Sequence, residues 1–196
     1  ETDQLKRTCL YDNHVALQAK MSPFAGFMMP IQYSTITDEH NAVRGKVGMF
    51  DVSHMGEIFV SGKDSLKFVN HIFTNDISAM TSGKILYGMM LYEDGGVVDD
   101  LLVYKEEAEQ DYLLVVNAAN IDKDFEWMKA QSKGFEVTID NRSEQWGQIA
   151  LQGPDAEKTL VDVLGITVGS ALGFYEFCDS EWNGARLIVS RTGYTG

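Results

Sequence analysis

The residues best suited to chemistry lie between Lys84 and Tyr104, where two adjacent carboxylates, Asp99 and Asp100, interrupt a stretch that is otherwise rich in apolar and aromatic side chains. Asp94-Gly95 separates two strand-like runs and predicts a two-residue type I′ hairpin, a turn that needs positive φ at both central residues. Such a turn sets Tyr92 opposite Val97, Met89 opposite Asp100 and Tyr87 opposite Leu102. Side chains alternate across a strand, so Ile85, Tyr87, Met89 and Leu91 share a face with Val98, Asp100, Leu102 and Tyr104, while Asp99 points the other way. Both faces read as covered. A carboxylate taken from water is costly unless it is paired or hydrogen-bonded. For Asp99 the expectation is a structural one, bonds to backbone N–H groups or to an Arg from another strand. For Asp100, flanked by Tyr87, Met89 and Tyr104, it is a flat apolar slot with a single polar contact, the usual construction of a small-ligand pocket. Each tyrosine taken singly also reads as core.

The elements that must position this hairpin are strands and helices in an α+β arrangement. Alternating or β-rich runs occur at 57–60, 85–92, 97–104, 112–116, 135–139, 148–151 and 186–190. Helical spacing links Ile36, Val43 and Val47; Leu66, Val69 and Phe73; Ile121, Phe125 and Met128; and Ala156, Leu160 and Leu164. The last helix is well punctuated, with Gly153-Pro154 before it, acidic residues in its first turn and Gly165 as a stop. Helices separate groups of strands, which favours antiparallel sheets with flanking helices over a doubly wound parallel sheet. Two domains are expected: 1–50 with 141–196, and 51–140 carrying the Asp100 hairpin. Residues 191–196 follow a strand-like run without a closing helix, so the first domain is expected to be truncated at its C-terminus.

Other constellations are weaker. Asp51, Ser53 and His54 lie too close along one strand for triad geometry, and no Gly-x-Ser-x-Gly elbow is present, so His54 reads as a hydrogen-bonded structural histidine. The four histidines and two cysteines show no metal-ligand spacing, and no metal is expected. Cys9 and Cys178 read as reduced thiols. No Gly-x-Gly-x-x-Gly or Walker motif points to a dinucleotide or triphosphate. Asn120 reads as a helix N-cap; Asn117, at a strand end, reads as structural or as an amide offered to a ligand.

With 44% hydrophobic residues in 196, the chain can bury a core. A net charge of −13 without any basic run argues against a nucleic-acid partner. No apolar stretch is long enough for a bilayer span, and the polar start has neither a secretory nor a transit character, so no membrane association and no targeting peptide are expected.

Taken together, several segments resemble the T-protein (aminomethyltransferase) family of the glycine cleavage system across essentially the whole chain. They include Leu10-Tyr11-Asp12-Asn13-His14, Phe24 to Pro30, Gly48-Met49-Phe50-Asp51-Val52-Ser53-His54-Met55, Gly95-Gly96-Val97-Val98-Asp99-Asp100-Leu101, Val116 to Asn120, Leu151-Gln152-Gly153-Pro154 and Arg191 to Gly196. The resemblance implies a three-domain enzyme whose first two domains carry a folate site. It implies tetrahydrofolate as cosubstrate, lipoylated H-protein as partner, and transfer of an aminomethyl carbon to give 5,10-methylenetetrahydrofolate with release of ammonia. The family's essential aspartate matches Asp100. By motif position Met55, Tyr87, Leu102, Tyr104, Asn117, Tyr175 and Tyr194 match its folate pocket. Partial burial of Asp100 is expected to raise its basicity. The implied location is cytoplasmic in a bacterium or the mitochondrial matrix in a eukaryote. Phe27 departs from a common Trp and Cys9 from a usual Pro. Two alternatives share the fold: a folate-dependent demethylase or oxidase domain, and a folate-binding module without transferase activity.

Overall fold

The computed structural model describes residues 5–106 and 111–195. In chain order these form α1 (Tyr11–Ala16), β1 (Lys20–Phe24), β2 (Phe27–Gln32), α2 (Ile36–Gly45), β3 (Gly48–Asp51), β4 (Gly56–Ser61), α3 (Ser65–Ile72), β5 (Ile85–Leu91), β6 (Val97–Lys105), β7 (Tyr112–Val116), α4 (Ile121–Gln131), β8 (Thr138–Asn141), β9 (Ile149–Gln152), α5 (Ala156–Leu164), β10 (Phe177–Trp182) and β11 (Ala185–Ser190). The fold is α+β, and the pairings among the named strands of its four sheets are antiparallel where their register is described. Sequence periodicity alone does not signal β1, β2 and β3, whose short runs contain Pro23, Pro30 and Gly48. None of the described helices is long and apolar enough to cross a membrane.

The chain divides into two compact units, Glu1–His54 with Gly147–Leu172 and Asp179–Gly196, and Met55–Trp146 with Gly173–Cys178. The expected divisions at 50 and 141 thus move to 54 and 146, and a short return, Gly173–Cys178, joins the second unit. Two contacts explain the shift at the second division. Arg142 N–H donates to the Glu57 carbonyl at 2.9 Å, and the Trp146 ring lies 5.8 Å from that of Phe59, tying the segment after β8 to β4.

In the first unit, β3 pairs with β9 and carries Asp51 at its end. Asp51 is held by three donors. Thr8 Oγ1 donates to Oδ2 at 2.6 Å, His14 Nε2 lies 2.8 Å from the same oxygen, and Ser53 N–H donates to Oδ1 at 2.9 Å. Tyr33 Oη meets the other nitrogen of His14 at 2.5 Å. Burial alone would raise the Asp51 pKa, but the hydrogen bonds from His14, Thr8 and Ser53 outweigh it and hold the carboxyl below its usual value. An acid with a depressed native pKa stabilises the fold above its unfolded pKa of about 4 and loses that contribution as pH falls through the native value. Thermal melts of Asp51→Asn and wild type are therefore expected to converge below about pH 4 and to separate above it. Parallel curves throughout would show that Asp51 contributes nothing through its charge. His54 departs from its expected role: its Nδ1 has no hydrogen-bond partner among the described residues, and its ring packs edge-on against Phe24 and Phe27. Burial lowers its pKa, consistent with a packed neutral imidazole.

The second unit is built on a five-stranded sheet in the order β5-β6-β7-β4-β8. Ile58, Val60, Met90, Leu101, Val103, Leu114 and Val116 line one face and meet Phe68, Val69 and Ile72 of α3 and Ile121 and Met128 of α4 in a single buried cluster. Alternation sends Tyr87, Met89, Asp100, Leu102, Val115 and Glu57 to the opposite face. The outer edge of β5 is occupied by loops. Ile85 N–H donates to the Tyr175 carbonyl (2.9 Å), Asn75 Nδ2 to the Tyr87 carbonyl (2.6 Å), Met89 N–H to Thr74 Oγ1 (3.0 Å), and Thr74 N–H to the Met89 carbonyl (2.9 Å).

Candidate functional site

The hairpin reaches the expected register by a different route. Tyr87 pairs with Leu102 and Met89 with Asp100, as the turn argument requires, but Leu91 pairs with Val97 and Tyr92 with Gly96. Gly95 has φ +86°, Asp94 does not have positive φ, and Gly95 N–H donates to the Tyr92 carbonyl at 2.9 Å. That is a type I turn followed by a left-handed glycine, a three-residue loop in place of the type I′ turn. Asp94 Oδ1 accepts from Gly96 N–H at 2.9 Å, the turn-closing bond that short Asp and Asn side chains make best. The odd loop residue is offset by a bulge at Val98, after which the pairing is again the expected one. Val98 is buried instead of sharing the Asp100 face. Lys123 Nζ donates to the Val98 carbonyl, which the bulge frees from the ladder.

On the face opposite the core, the strand registers run two rows of residues across the sheet. Met89 pairs with Asp100. Continuing the β6–β7 and β7–β4 registers by a residue or two sets Asn117 beside Asp100 and Met55 beside Asn117. The next row is Tyr87, Leu102, Val115 and Glu57. Met55, Tyr87, Asp100, Leu102 and Asn117 are thereby brought together. Tyr87 Oη donates to Asp100 Oδ2 at 3.0 Å, and Asn117 Nδ2 donates to Asp100 Oδ1 at 3.2 Å and to its carbonyl at 3.0 Å. The hydrogen bond to Asp100, and then the charge of that carboxylate, raises the Tyr87 phenol pKa; Tyr175 adds a smaller electrostatic contribution.

Two expectations about this face are corrected. Tyr87 is 50% exposed and Asp100 is also exposed, so the face is not covered by the second unit's own core and the expected partial burial of Asp100 is not found. Tyr104 is buried and packs edge-on against Phe177 at 5.1 Å, opposite Ile85. Four residues along a strand separate its Cα from that of Asp100 by about 13 Å, so it supports the end of the sheet and does not flank the carboxylate. Tyr175 sits where Gly173–Cys178 crosses the start of β5, with φ +58°, its carbonyl accepting from Ile85 and its ring 4.4 Å from Phe174. Tyr194 lies in the first unit, after β11, and is 96% exposed.

Behind the exposed row, Asp99 is buried and accepts from Asn117 N–H (3.0 Å), Asn117 Nδ2 (2.9 Å) and Asn120 Nδ2 (2.7 Å). Its expected structural role is met by a backbone N–H and two amides, with no Arg among these donors. Asn120 stands at the N-cap of α4, yet its side chain is spent on Asp99 and makes no cap bond. Burial would raise the Asp99 pKa, but hydrogen bonds from Asp124, Asn117 and Asn120 bring it below the usual value. Sequence reasoning missed two further acids. Glu57, only 4% exposed, has its Oε2 without a partner among the described residues and is pushed up by burial to about 8. Its signal was a carboxylate in the otherwise apolar run 57–60. Asp124, inside α4, is the second; its position beside a helical Ile121–Phe125–Met128 stripe was the available sign. A concavity of about 290 Å³ lined by Leu66, Ile77, Met80, Lys105 and Tyr112 lies elsewhere in this unit and contains none of the expected site residues.

A family model described as the GCVT N-terminal domain matches residues 10–196. The chain belongs to that family. Among curated GCVT relatives, the aminomethyltransferase of Thermosipho melanesiensis is 52% identical over 192 residues, covering 98% of this chain and 52% of its own length. That of Desulfitobacterium hafniense (strain Y51) is 50% identical over 193 residues. The chain spans about half the length of the curated relatives it matches. Among solved structures, the glycine cleavage system aminomethyltransferase T from Bartonella henselae superposes with a TM-score of 0.90 at 33% identity, covering 98% of this chain and 51% of that one. Heterotetrameric sarcosine oxidase from Corynebacterium sp. U-96 superposes with a TM-score of 0.59 at 11% identity over 82% of this chain, a likeness of fold alone.

Proposed function

We propose that this chain carries the folate-binding face of an aminomethyltransferase of the glycine cleavage system. In this reading the aminomethyl carbon passes from lipoylated H-protein to tetrahydrofolate, leaving ammonia, 5,10-methylenetetrahydrofolate and the dihydrolipoyl carrier. The single observation that carries it is the carboxylate of Asp100, held on both oxygens by Tyr87 and Asn117 on a sheet face that also presents Met55, Met89 and Leu102. Such a face suits a flat heteroaromatic ligand: Met55, Tyr87, Met89 and Leu102 supply apolar and ring surface, and Asp100 and Asn117 supply directed polar contacts. Tetrahydrofolate contributes the nitrogens that take up the one-carbon unit.

Asp100 is the group that accepts or orients the proton an anilinic N–H must lose in that transfer. Its exposure lets the ligand displace water from it, and the hydrogen bonds of Tyr87 and Asn117 fix the direction in which its oxygens point. Tyr175 and Tyr194, together with Tyr104 behind Leu102, complete the set that the family resemblance implies. The protein is accordingly read as a cytoplasmic or mitochondrial-matrix enzyme of one-carbon metabolism. The sarcosine-oxidase likeness does not favour an oxidase, since at 11% identity it carries only the fold.

Isothermal titration of tetrahydrofolate into this chain is the direct test. Saturable binding is expected, weakened roughly tenfold in Tyr87→Ala through loss of ring contact. Absence of saturable binding in a chain with native circular dichroism and melting would count against a folate site on this face alone.

A further inference from the structure

We infer that Asp124 is a positioning residue for Asp100: it holds a proton shared with Asp99, and this fixes Asp99 as the acceptor that sets Asn117 against Asp100. Asp124 is 0% exposed, and neither of its oxygens accepts a hydrogen bond among the described residues. Asn120, one turn earlier at the N-cap of α4, donates to Asp99 at 2.7 Å, and Asp124 follows it at i+4 on the same helical face, which sets its side chain against the Asp99 carboxylate. Two carboxylates in contact inside a protein do not both ionise. Three N–H groups already point at Asp99, so the negative charge resides there and Asp124 is the protonated member, donating its O–H to Asp99. A buried acid whose oxygens accept no hydrogen bond, and whose cationic neighbour among the described residues is Lys123, thereby gains a partner as a donor.

Among the described residues, the ionisable groups facing Asp124 are Asp99 from β6 and Lys123 from its own helix, whose Nζ lies 3.2 Å from Oδ1. Lys123 also donates to the Val98 carbonyl, so its charge is divided between two acceptors. Burial, then the hydrogen bond and charge of Asp99, push Asp124 up to about 8 against the pull of Lys123. The chain of contacts is continuous: Asp124 to Asp99, Asp99 to the N–H and amide of Asn117, and that same amide to Asp100 Oδ1. Above the Asp124 pKa, two adjacent negative charges repel and the anchor of Asn117 loosens. That this anchor serves one-carbon transfer rests on the reading proposed above.

The test separates the two. In ¹³C-labelled chain without folate, the side-chain carbonyl resonances of Asp124, Asp99 and Asn117 are followed against pH. Asp124 is expected to titrate far above the ordinary carboxylate range, with Asn117 shifting at the same midpoint. In Asp124→Asn, whose amide donates to Asp99 at every pH, the Asn117 shift is expected to vanish while its resonance stays at the wild-type neutral-pH position. Asp124→Leu is expected to displace that resonance at all pH values. In the complete enzyme, wild-type kcat is expected to fall as Asp124 ionises, Asp124→Leu to lower kcat roughly tenfold or more with little change in folate KM, and Asp124→Asn to recover kcat without that fall. An Asp124 carboxyl titrating near 4, or an Asn117 resonance indifferent to it, overturns the inference whatever the folate result. A coupled titration with kcat unmoved in Asp124→Leu overturns the positioning role.

Discussion

Replacing Asp100 with Asn in the complete protein is expected, on the proposed aminomethyl transfer, to lower turnover by about 10²-fold or more, with folate affinity held within several-fold. The substitution keeps the shape of the side chain. Its carbonyl oxygen can still accept from Asn117, and the Tyr87 hydroxyl can rotate to accept from the new amide, so the face that meets the ligand is little changed. What disappears is a group able to take a proton. Because Asp100 is exposed, its loss as a charge is also expected to leave stability within about 0.5 kcal/mol. The measurement is steady-state kinetics of methylenetetrahydrofolate formation beside a thermal melt. Undiminished kcat would remove Asp100 from the reaction and with it the central claim of the proposed function.

The opposite pattern is expected for Phe68→Ala. Phe68 is 0% exposed, sits on the inner side of α3, and meets the Phe135 ring edge-on at 5.6 Å. Truncating a buried Phe removes its transfer energy and leaves a cavity that close packing fills only in part, at a cost of about 3–5 kcal/mol. That is a large share of a domain's total stability of about 5–15 kcal/mol. Urea and thermal unfolding of the chain should show the loss as a lower midpoint with an unchanged urea m-value. A cost below about 1 kcal/mol would mean that α3 does not close the core of the second unit.

The hairpin shows how far local chemistry carries. A turn at Asp94-Gly95 is legible because glycine alone accepts positive φ freely, and the partners of Tyr87 and Met89 follow from it. The turn type and the bulge are not legible. The extra loop residue and the extra strand residue at Val98 cancel, so the expected pairing at Asp100 survives two departures that sequence alone does not separate. Helices α2 to α5 are visible through their spacing, and Gly165 ends α5 at φ +69° as its position suggests. Strand alternation also separates Asp99 from Asp100. It does not say which face carries a helical layer, because both faces of the hairpin are apolar; the open side is decided by where α3 and α4 pack. Tyr104 misled for the same reason, since sharing a face says nothing about distance along it. Glu57 and Asp124 escaped notice because each is a single acid in an apolar setting, and their meaning comes from residues distant in sequence.

The loops along β5 bear on how this protein meets other chains. A terminal strand with free N–H and C=O groups is a template onto which any extended peptide can zip. Here Thr74, Asn75 and Tyr175 already take up outward-facing groups of Ile85, Tyr87 and Met89, and the strand at the far margin, β8, is only 4 residues long. Growth of the sheet by recruitment of a foreign strand is blocked on the first side and short-lived on the second. An apolar, partly open face can therefore be kept available to a small ligand without the sheet becoming a seed for fibrils.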